Sequence, residues 1–384
     1  MSELPPGSPL AGSATLRAWL DDHREDLAVG RADPADTLDE RVDRGSQLWG
    51  RLSALGVALD GWPVDAGGRG GTAVHRAVLY DGLVAAGLVL PESAAALEVV
   101  GAALTSYAPA LARRHLPALL AGEELWCQGF SETEAGSDLA SLRTRAERSE
   151  VGWKVTGHKI WTSLGHRATH CAVLARTSDT TPRHRGLALV WVPMTTPGVT
   201  ARPLDSVTGE PEFSEVFFDG VEVPADHLIG EPGQGWAIAM HMLQFERGMW
   251  AWQRQALMHA MLGRALAGVG DGLEPVSAAA VGEAYSALSA LRSRALATVE
   301  ALAAGTVLGP EVSIDKLMLG RTEHLVQDAV RRLAGPDFVL GGTTEDAHRR
   351  GEWFYSRAAT VYGGAAEVQR NIVAERVLGL GRSA

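Results

Sequence analysis

A block of short apolar runs set between two long helical stretches limits what this chain can fold into. Between about residues 126 and 230, runs such as 171–175, 187–192 and 216–218 are separated by clusters of Pro, Gly, Asp and Thr. Runs of that length, bounded by turn formers, predict the strands of an antiparallel sheet. Asp219-Gly220, between Phe218 and Val221, predicts a turn. On either side the period is helical. Leu48, Leu52 and Leu55 recur at helical spacing before a stop at Gly56, and 78–120 is rich in Ala and Leu. After Gly233-Gln234-Gly235, the stretches 236–267, 276–304, 311–340 and 353–378 are each long enough for one helix of a four-helix bundle. A glycine-rich linker, 268–275, separates the first two. The expected fold class is therefore α+β: an N-terminal helical domain (1–125), a middle antiparallel β domain (126–232) and a C-terminal bundle (233–384).

The chain's 384 residues, 46% of them hydrophobic, can bury a large core or two to three subdomains. A formal net charge of −11, with no basic block, argues against nucleic acid as a partner. Cys127 and Cys171 are too few for a disulfide framework or a thiolate metal cluster and read as small buried hydrophobes. His166 and His170 are spaced i, i+4, but in a loop-and-strand region, and no metal is expected there. The start of the chain lacks a basic, apolar leader, and no apolar run reaches membrane-spanning length. The expectation is a cytoplasmic protein with no membrane partner. The glycines of 61–71 follow no strand and include no P-loop lysine, so they read as a helix-to-helix loop.

Two runs carry chemistry. Trp126-Cys127-Gln128-Gly129-Phe130-Ser131-Glu132-Thr133-Glu134-Ala135-Gly136-Ser137-Asp138 packs small and hydroxyl residues around Gly136, where a backbone can approach a ligand and offer N–H groups. Gly157-His158-Lys159-Ile160-Trp161-Thr162-Ser163 ends a strand-like segment with an indole and two hydroxyls, fit to cover a flat ring and bond its nitrogens. In this order they resemble the flavin-contacting middle domain of acyl-CoA dehydrogenases. Tyr362-Gly363-Gly364-Ala365-Ala366-Glu367-Val368-Gln369-Arg370-Asn371-Ile372-Val373-Ala374-Glu375-Arg376 resembles that family's C-terminal signature.

The resemblance implies FAD-dependent dehydrogenation of an acyl-CoA: a carboxylate takes the proton beside the thioester, and the hydride of the next carbon goes to flavin N5. It sets Phe130, Ser131, Gly136, Ser137, Trp161, Thr162, Ser163, Ala365 and Glu367 against FAD. Ser137, Gln244 and Arg247 are set against the acyl-CoA. Many members carry the base directly after the signature tyrosine, where this chain has Gly363. A second group carries it on the first bundle helix, in a pattern matched by Leu243-Gln244-Phe245-Glu246-Arg247. Glu246 is therefore the expected base. The bland alternative is a solvated helix carboxylate; Phe245, Trp250 and Trp252 nearby would instead desolvate it and raise its pKa. Gly363 would still offer its N–H to the thioester oxygen and leave room beside the flavin.

Family homodimers complete each flavin site with an arginine and a glutamine–glycine group from the neighbour. Those positions align here with Ala278, Arg331 and Ala334-Gly335, so a self-pairing dimer would lack them. The resemblance thus implies a second, homologous chain as partner, typically in an α2β2 assembly of the kind used on steroid side chains. It also implies an electron acceptor such as an electron-transfer flavoprotein. Two alternatives stay open: a non-catalytic subunit of such an assembly, and a flavin oxidase or dehydrogenase acting on a carrier-protein thioester.

Overall fold

The computed structural model describes residues 4–180, 182–269 and 272–381. The linker residues Gly270 and Asp271 and the first residues of the chain, 1–3, lie outside them.

Six helices come first: α1 (Ser13–Asp22), α2 (Leu38–Ala54), α3 (Ala73–Ala85), α4 (Ser93–Ala96), α5 (Ala102–Tyr107) and α6 (Pro109–Leu120). A π-helical turn, Leu97–Gly101, joins α4 to α5. Helix α2 starts at a capping box in which Thr37 and Glu40 satisfy each other's backbone N–H groups. It stops at Gly56, whose φ of 82° suits a residue without Cβ.

The strands are β1 (Trp126–Gly129), β2 (Arg145–Arg148), β3 (Gly152–Ser163), β4 (His170–Arg176), β5 (Leu187–Pro193), β6 (Val199–Pro203), β7 (Phe213–Pro224) and β8 (Leu228–Ile229). They order as β6-β7-β3-β2-β4-β5-β8, with β1 paired to β4. The sheet is antiparallel except at β4, which pairs parallel with β1 and, at one register position, with β2. Asp219-Gly220 does not make the expected turn. β7 runs straight through it, and the two residues bulge opposite the single residue Thr156 as the register steps from Val155–Val221 to Gly157–Phe218.

Alternation in β4 and β5 explains why both strands read as unbroken apolar runs. Leu174, Leu189 and Trp191 face the helices, while Cys171, Val173, Val190 and Val192 face a second core on the other side of the sheet. The helix-side core is continuous from the N-terminal helices through the sheet to the C-terminal ones.

The C-terminal part begins with α7 (Gly235–Ala267), α8 (Pro275–Ala303) and α9 (Val312–Ala334). α9 stops six residues short of the expected 340, because Gly335 takes a φ of 59° and Pro336 follows. The expected fourth helix is not one helix. After α10 (Asp337–Leu340), α11 (Thr344–Ser356) starts early at a Thr343–Asp346 capping box, and α12 (Ala366–Ile372) follows a break. The break holds Gly363 and Gly364, at φ 61° and 105°.

Candidate active site

Two groups of residues are built by separate means. The first lies where β1 runs into the Phe130–Ser131 loop. The alternation of β3 points Lys159 inward, and its Nζ donates to Phe130 O (3.0 Å) and Glu132 Oε1 (2.8 Å). The Glu132 carboxylate also accepts from the N–H groups of Arg143 (2.7 Å) and Thr144 (2.9 Å). Burial brings the Lys159 ammonium down to about 8 even with Glu132 beside it. Glu132 and Ala135 exchange two backbone hydrogen bonds, and Ile160 N–H donates to Ser131 O (3.0 Å), so the loop is pinned alongside β3. Ser137 and Gly136 are exposed on this loop, and a methyl at Gly136 would meet nothing within 4 Å.

At its far end β3 bulges against β7: the register steps from Lys159–Val216 to Thr162–Ser214. The bulge turns Trp161 outward, with φ at 59°, and leaves it 61% exposed with Phe213 edge-on at 6.0 Å. Thr162 is buried, yet its Oγ1 has no partner among the described residues. Ser163 is exposed beside it. A protruding indole in a strained conformation, next to an enclosed hydroxyl without a partner, fits the edge and face of a flat, hydrogen-bonding ring. The residues expected to hold FAD here suit such a group.

The second group joins α7, α9 and the 361–365 break. Glu246, Arg247, Trp250, Lys316, Leu319, Tyr362 and Gly363 line one cavity. A Cβ built on Gly363 would lie 2.9 Å from Glu246 Oε1 and 3.5 Å from Lys316 Cε. The room expected beside Gly363 is thus taken by the Glu246 carboxylate. Burial pushes that carboxyl above its ordinary value, against the pull of Arg247 and Lys316. Trp250 supplies part of the apolar wall. Phe245 packs on His241 instead, and Trp252 faces away, its Nε1 donating to Ala77 O (2.8 Å). Arg247 Nε donates to Gly363 O at 3.4 Å, while the Gly363 N–H meets no acceptor among the described residues. Gln244 is partly buried on the same helix. Ala365 caps α12, and Glu367 is exposed, paired with Arg370 at 3.2 Å.

Glu212 lies between the two groups: its backbone oxygen accepts from Leu164 N–H (2.7 Å), its side chain lies near Tyr355, and the Tyr355 ring lies 5.9 Å from that of Tyr362.

Lys159, Lys316 and Glu212 were not anticipated. Lys316 Nζ donates to Ala359 O (2.7 Å) and sits 3.9 Å from the centre of the Tyr362 ring. Burial, its largest influence, brings it down to about 8. The signal for it was its place on the α9 stripe Val312–Lys316–Leu319–Glu323, where a charge on an apolar face needs a partner. His170 does join a cluster, with His115 and Glu124, whose ligand-type atoms lie within 4.8 Å of one another. Trp126 Nε1 also donates to Glu124 (2.7 Å), and burial brings His170 down to about 4, so the cluster reads as a hydrogen-bonded brace between α6 and the sheet.

Two family models match the chain. The acyl-CoA dehydrogenase middle domain matches residues 127–221 and the acyl-CoA dehydrogenase C-terminal domain matches 233–378. The acyl-CoA dehydrogenases IpdE1 of Mycolicibacterium smegmatis and Mycobacterium tuberculosis are 36% and 37% identical to it. These alignments cover 96% and 97% of this chain and 97% of each relative. Among solved structures, the Tcur3481-Tcur3483 steroid ACAD superimposes with a TM-score of 0.78 at 28% identity, covering 97% of both chains. The ChsE4-ChsE5 complex from Mycobacterium tuberculosis shares the fold, with a TM-score of 0.78 at 24% identity over 100% of both chains.

Proposed function

Because the chain belongs to the acyl-CoA dehydrogenase family, we propose that it is the flavin-bearing subunit of a two-chain, FAD-dependent acyl-CoA dehydrogenase with Glu246 as its α-proton base. The observation that carries this is the seating of Glu246. Its Oε1 occupies the space beside Gly363, where a side chain at that position would begin. A carboxylate is thereby restored to the spot from which many relatives deliver theirs.

Phe130, Ser131, Trp161 and Thr162 would hold the isoalloxazine ring, with the loop around Gly136 beside it. The flavin, when bound, supplies the hydride acceptor. Everything else is the work of side chains and backbone. Glu246, held above the ordinary carboxylate range by burial, is basic enough to take the α-proton once ionised. The free N–H of Gly363 would polarise the thioester oxygen and make that proton more acidic. Arg247 holds the Gly363 carbonyl, and with it the peptide plane that joins Gly363 to Gly364. The non-catalytic alternative is weaker, because nothing in a structural subunit requires a carboxylate at this spot.

The partner follows from what α8 and α9 present. Ala278 and Arg331 are exposed where family homodimers offer an arginine and a glutamine to the neighbouring flavin. Val276 and Tyr285 leave apolar surface uncovered on α8, as do Val339 and Leu340 on α10 and Val361 in the break before α12. A homologous chain that supplies the missing groups and covers these residues accounts for both. The steroid ACAD among the similar structures supports a bulky, steroid-type acyl group as substrate, and the family resemblance implies an electron-transfer flavoprotein as acceptor.

Co-expression with a homologous chain tests the proposal. The pair should purify yellow, and an acyl-CoA should bleach it; the chain alone should be flavin-poor. A stable homodimer with a full flavin complement would refute the partner, and a yellow complex that no acyl-CoA bleaches would refute the activity.

A further inference from the structure

Lys316 carries a charge that the packing of α9 does not require. It is 4% exposed, and among the described residues its ammonium makes no ion pair. Its one hydrogen bond, to Ala359 O (2.7 Å), is one that a neutral amide could make. An enclosed ammonium with no anion in contact is costly, so a lysine kept only to brace a carbonyl would be a poor choice.

Its surroundings show what the charge can serve. The charged groups facing Lys316 are Glu246 and Arg247 on α7, Glu323 on its own helix, and Arg254 further along α7. Tyr362, from the break before α12, turns its ring face to the ammonium, 3.9 Å from the ring centre. Glu323 is taken by Arg254, which also meets Glu352 at 3.5 Å. Arg247 is turned to the Gly363 carbonyl. Glu246 is the remaining anion, and it lines the same cavity as Lys316. A Cβ on Gly363 would lie 2.9 Å from Glu246 Oε1 and 3.5 Å from Lys316 Cε, so the two side chains close on that glycine from α7 and α9. They do not touch as an ion pair. Ala359 O and the Tyr362 ring anchor the ammonium, and the Glu246 carboxylate accepts no hydrogen bond among the described residues. A carboxylate that takes a proton from carbon needs its lone pairs free, and in a desolvated cavity it needs a positive charge close by. A cation held short of contact meets both needs.

We propose that Lys316 is a positioning residue for the dehydrogenation: its ammonium, anchored short of contact, is the counter-charge that keeps Glu246 an anion ready for the α-proton. This rests on the reading of Glu246 as the base and adds the group on which that base depends. Burial raises the Glu246 carboxyl and the charge of Lys316 lowers it, so deleting that charge leaves more Glu246 protonated at low pH. At pH 9 the lysine, brought down to about 8 by burial, has itself given up most of its charge, and the difference should close.

The test follows flavin bleaching in the flavin-loaded two-chain complex, in a stopped-flow cell, with octanoyl-CoA and 3-cyclohexylpropanoyl-CoA. Lys316→Gln keeps a donor for Ala359 O and deletes the charge. Its ratio of bleaching rates, pH 6 to pH 9, should fall roughly 10-fold or more below that of wild type, the factor by which a nearby opposite charge changes a carboxylate's proton affinity. Lys316→Arg restores the charge and should bring the ratio back toward wild type. A second readout needs no turnover. Lys316→Gln and Glu246→Gln should be non-additive in melting temperature, the double variant melting higher than the two single changes predict, because each single variant strands a charge. An unchanged rate ratio in Lys316→Gln, a ratio in Lys316→Arg no better than that, or additive melting temperatures overturns the role of Lys316 while dehydrogenation stands. If neither Lys316→Gln nor Lys316→Met assembles, the lysine is a structural tie and the proposal falls. If no acyl-CoA bleaches the wild-type complex, these two included, the dehydrogenation reading falls and this one with it.

Discussion

Replacing Gly363 by alanine puts a methyl group 2.9 Å from Oε1 of Glu246 and 3.5 Å from Cε of Lys316. The first distance is shorter than side chains tolerate, so the carboxylate must move. The φ of 61° adds a second cost, roughly 1–2 kcal/mol for a residue with a Cβ in the left-handed region. Overpacking in a rigid core costs roughly 1–3 kcal/mol, but the crowded atom here ends a flexible side chain and can rotate away, which keeps the total near the lower end. The larger effect falls on chemistry. A base displaced by about 1 Å loses roughly 10²-fold in rate, well beyond the expected loss of stability. In the two-chain complex, Gly363→Ala should therefore lower kcat by roughly 10–100-fold while the complex stays folded and flavin-loaded. Steady-state kinetics beside a thermal melt and a flavin spectrum measure all three. Wild-type kcat in a folded variant would mean that the carboxylate beside Gly363 is not the base.

Thr162→Val deletes a hydroxyl that has no protein partner, so it should weaken FAD binding by roughly 2–10-fold, the worth of one hydrogen bond, with the melting temperature of the flavin-free protein little changed. Equilibrium titration of flavin decides it; unchanged affinity removes Thr162 from the flavin site. Lys159→Met strands the Glu132 carboxylate beneath the 130–135 loop and should cost about 3–5 kcal/mol in chemical denaturation, most of it regained in Lys159→Met/Glu132→Gln. A single-variant loss below about 1 kcal/mol would show that the buried pair does not hold the loop. Glu212, held up at about 8, keeps a proton in the folded chain that the unfolded chain releases above about 4.5. Its contribution is therefore greatest at low pH and falls as pH rises through that window. Glu212→Gln should raise the melting temperature more at pH 8 than at pH 5, and an equal gain at both would mean that Glu212 is already ionised.

The apolar runs that became β4 and β5 were legible because a strand buried on both faces has no polar positions to interrupt it. The bulges were not. Asp219-Gly220 has the composition of a hairpin turn, and only its pairing with β3 keeps β7 continuous; the bulge at 160–161 that exposes Trp161 likewise depends on what lies across the strand. Thr343 and Asp346 form a capping box that could have moved the start of α11 nine residues earlier, and Gly335-Pro336 could have ended α9. Glu246 and Gly363 could each be picked out by pattern, but their contact joins residues more than a hundred positions apart. The Arg254–Glu323–Glu352–Glu212–Tyr355 group had almost no local signal beyond the place of Glu323 on the α9 stripe. Each member alone is an ordinary helix or loop residue, and the buried charge balance exists only once α7, α9, α11 and the loop before β7 are packed.

The central claim is that Glu246 removes the α-proton. Glu246→Gln keeps the shape beside Gly363 and deletes the basic group. In the two-chain complex mixed with an acyl-CoA in a stopped-flow cell, the variant should retain its flavin and bind the ligand, while flavin bleaching slows by roughly 10²-fold or more. Bleaching at a near wild-type rate would contradict the account, and the base would have to be sought elsewhere.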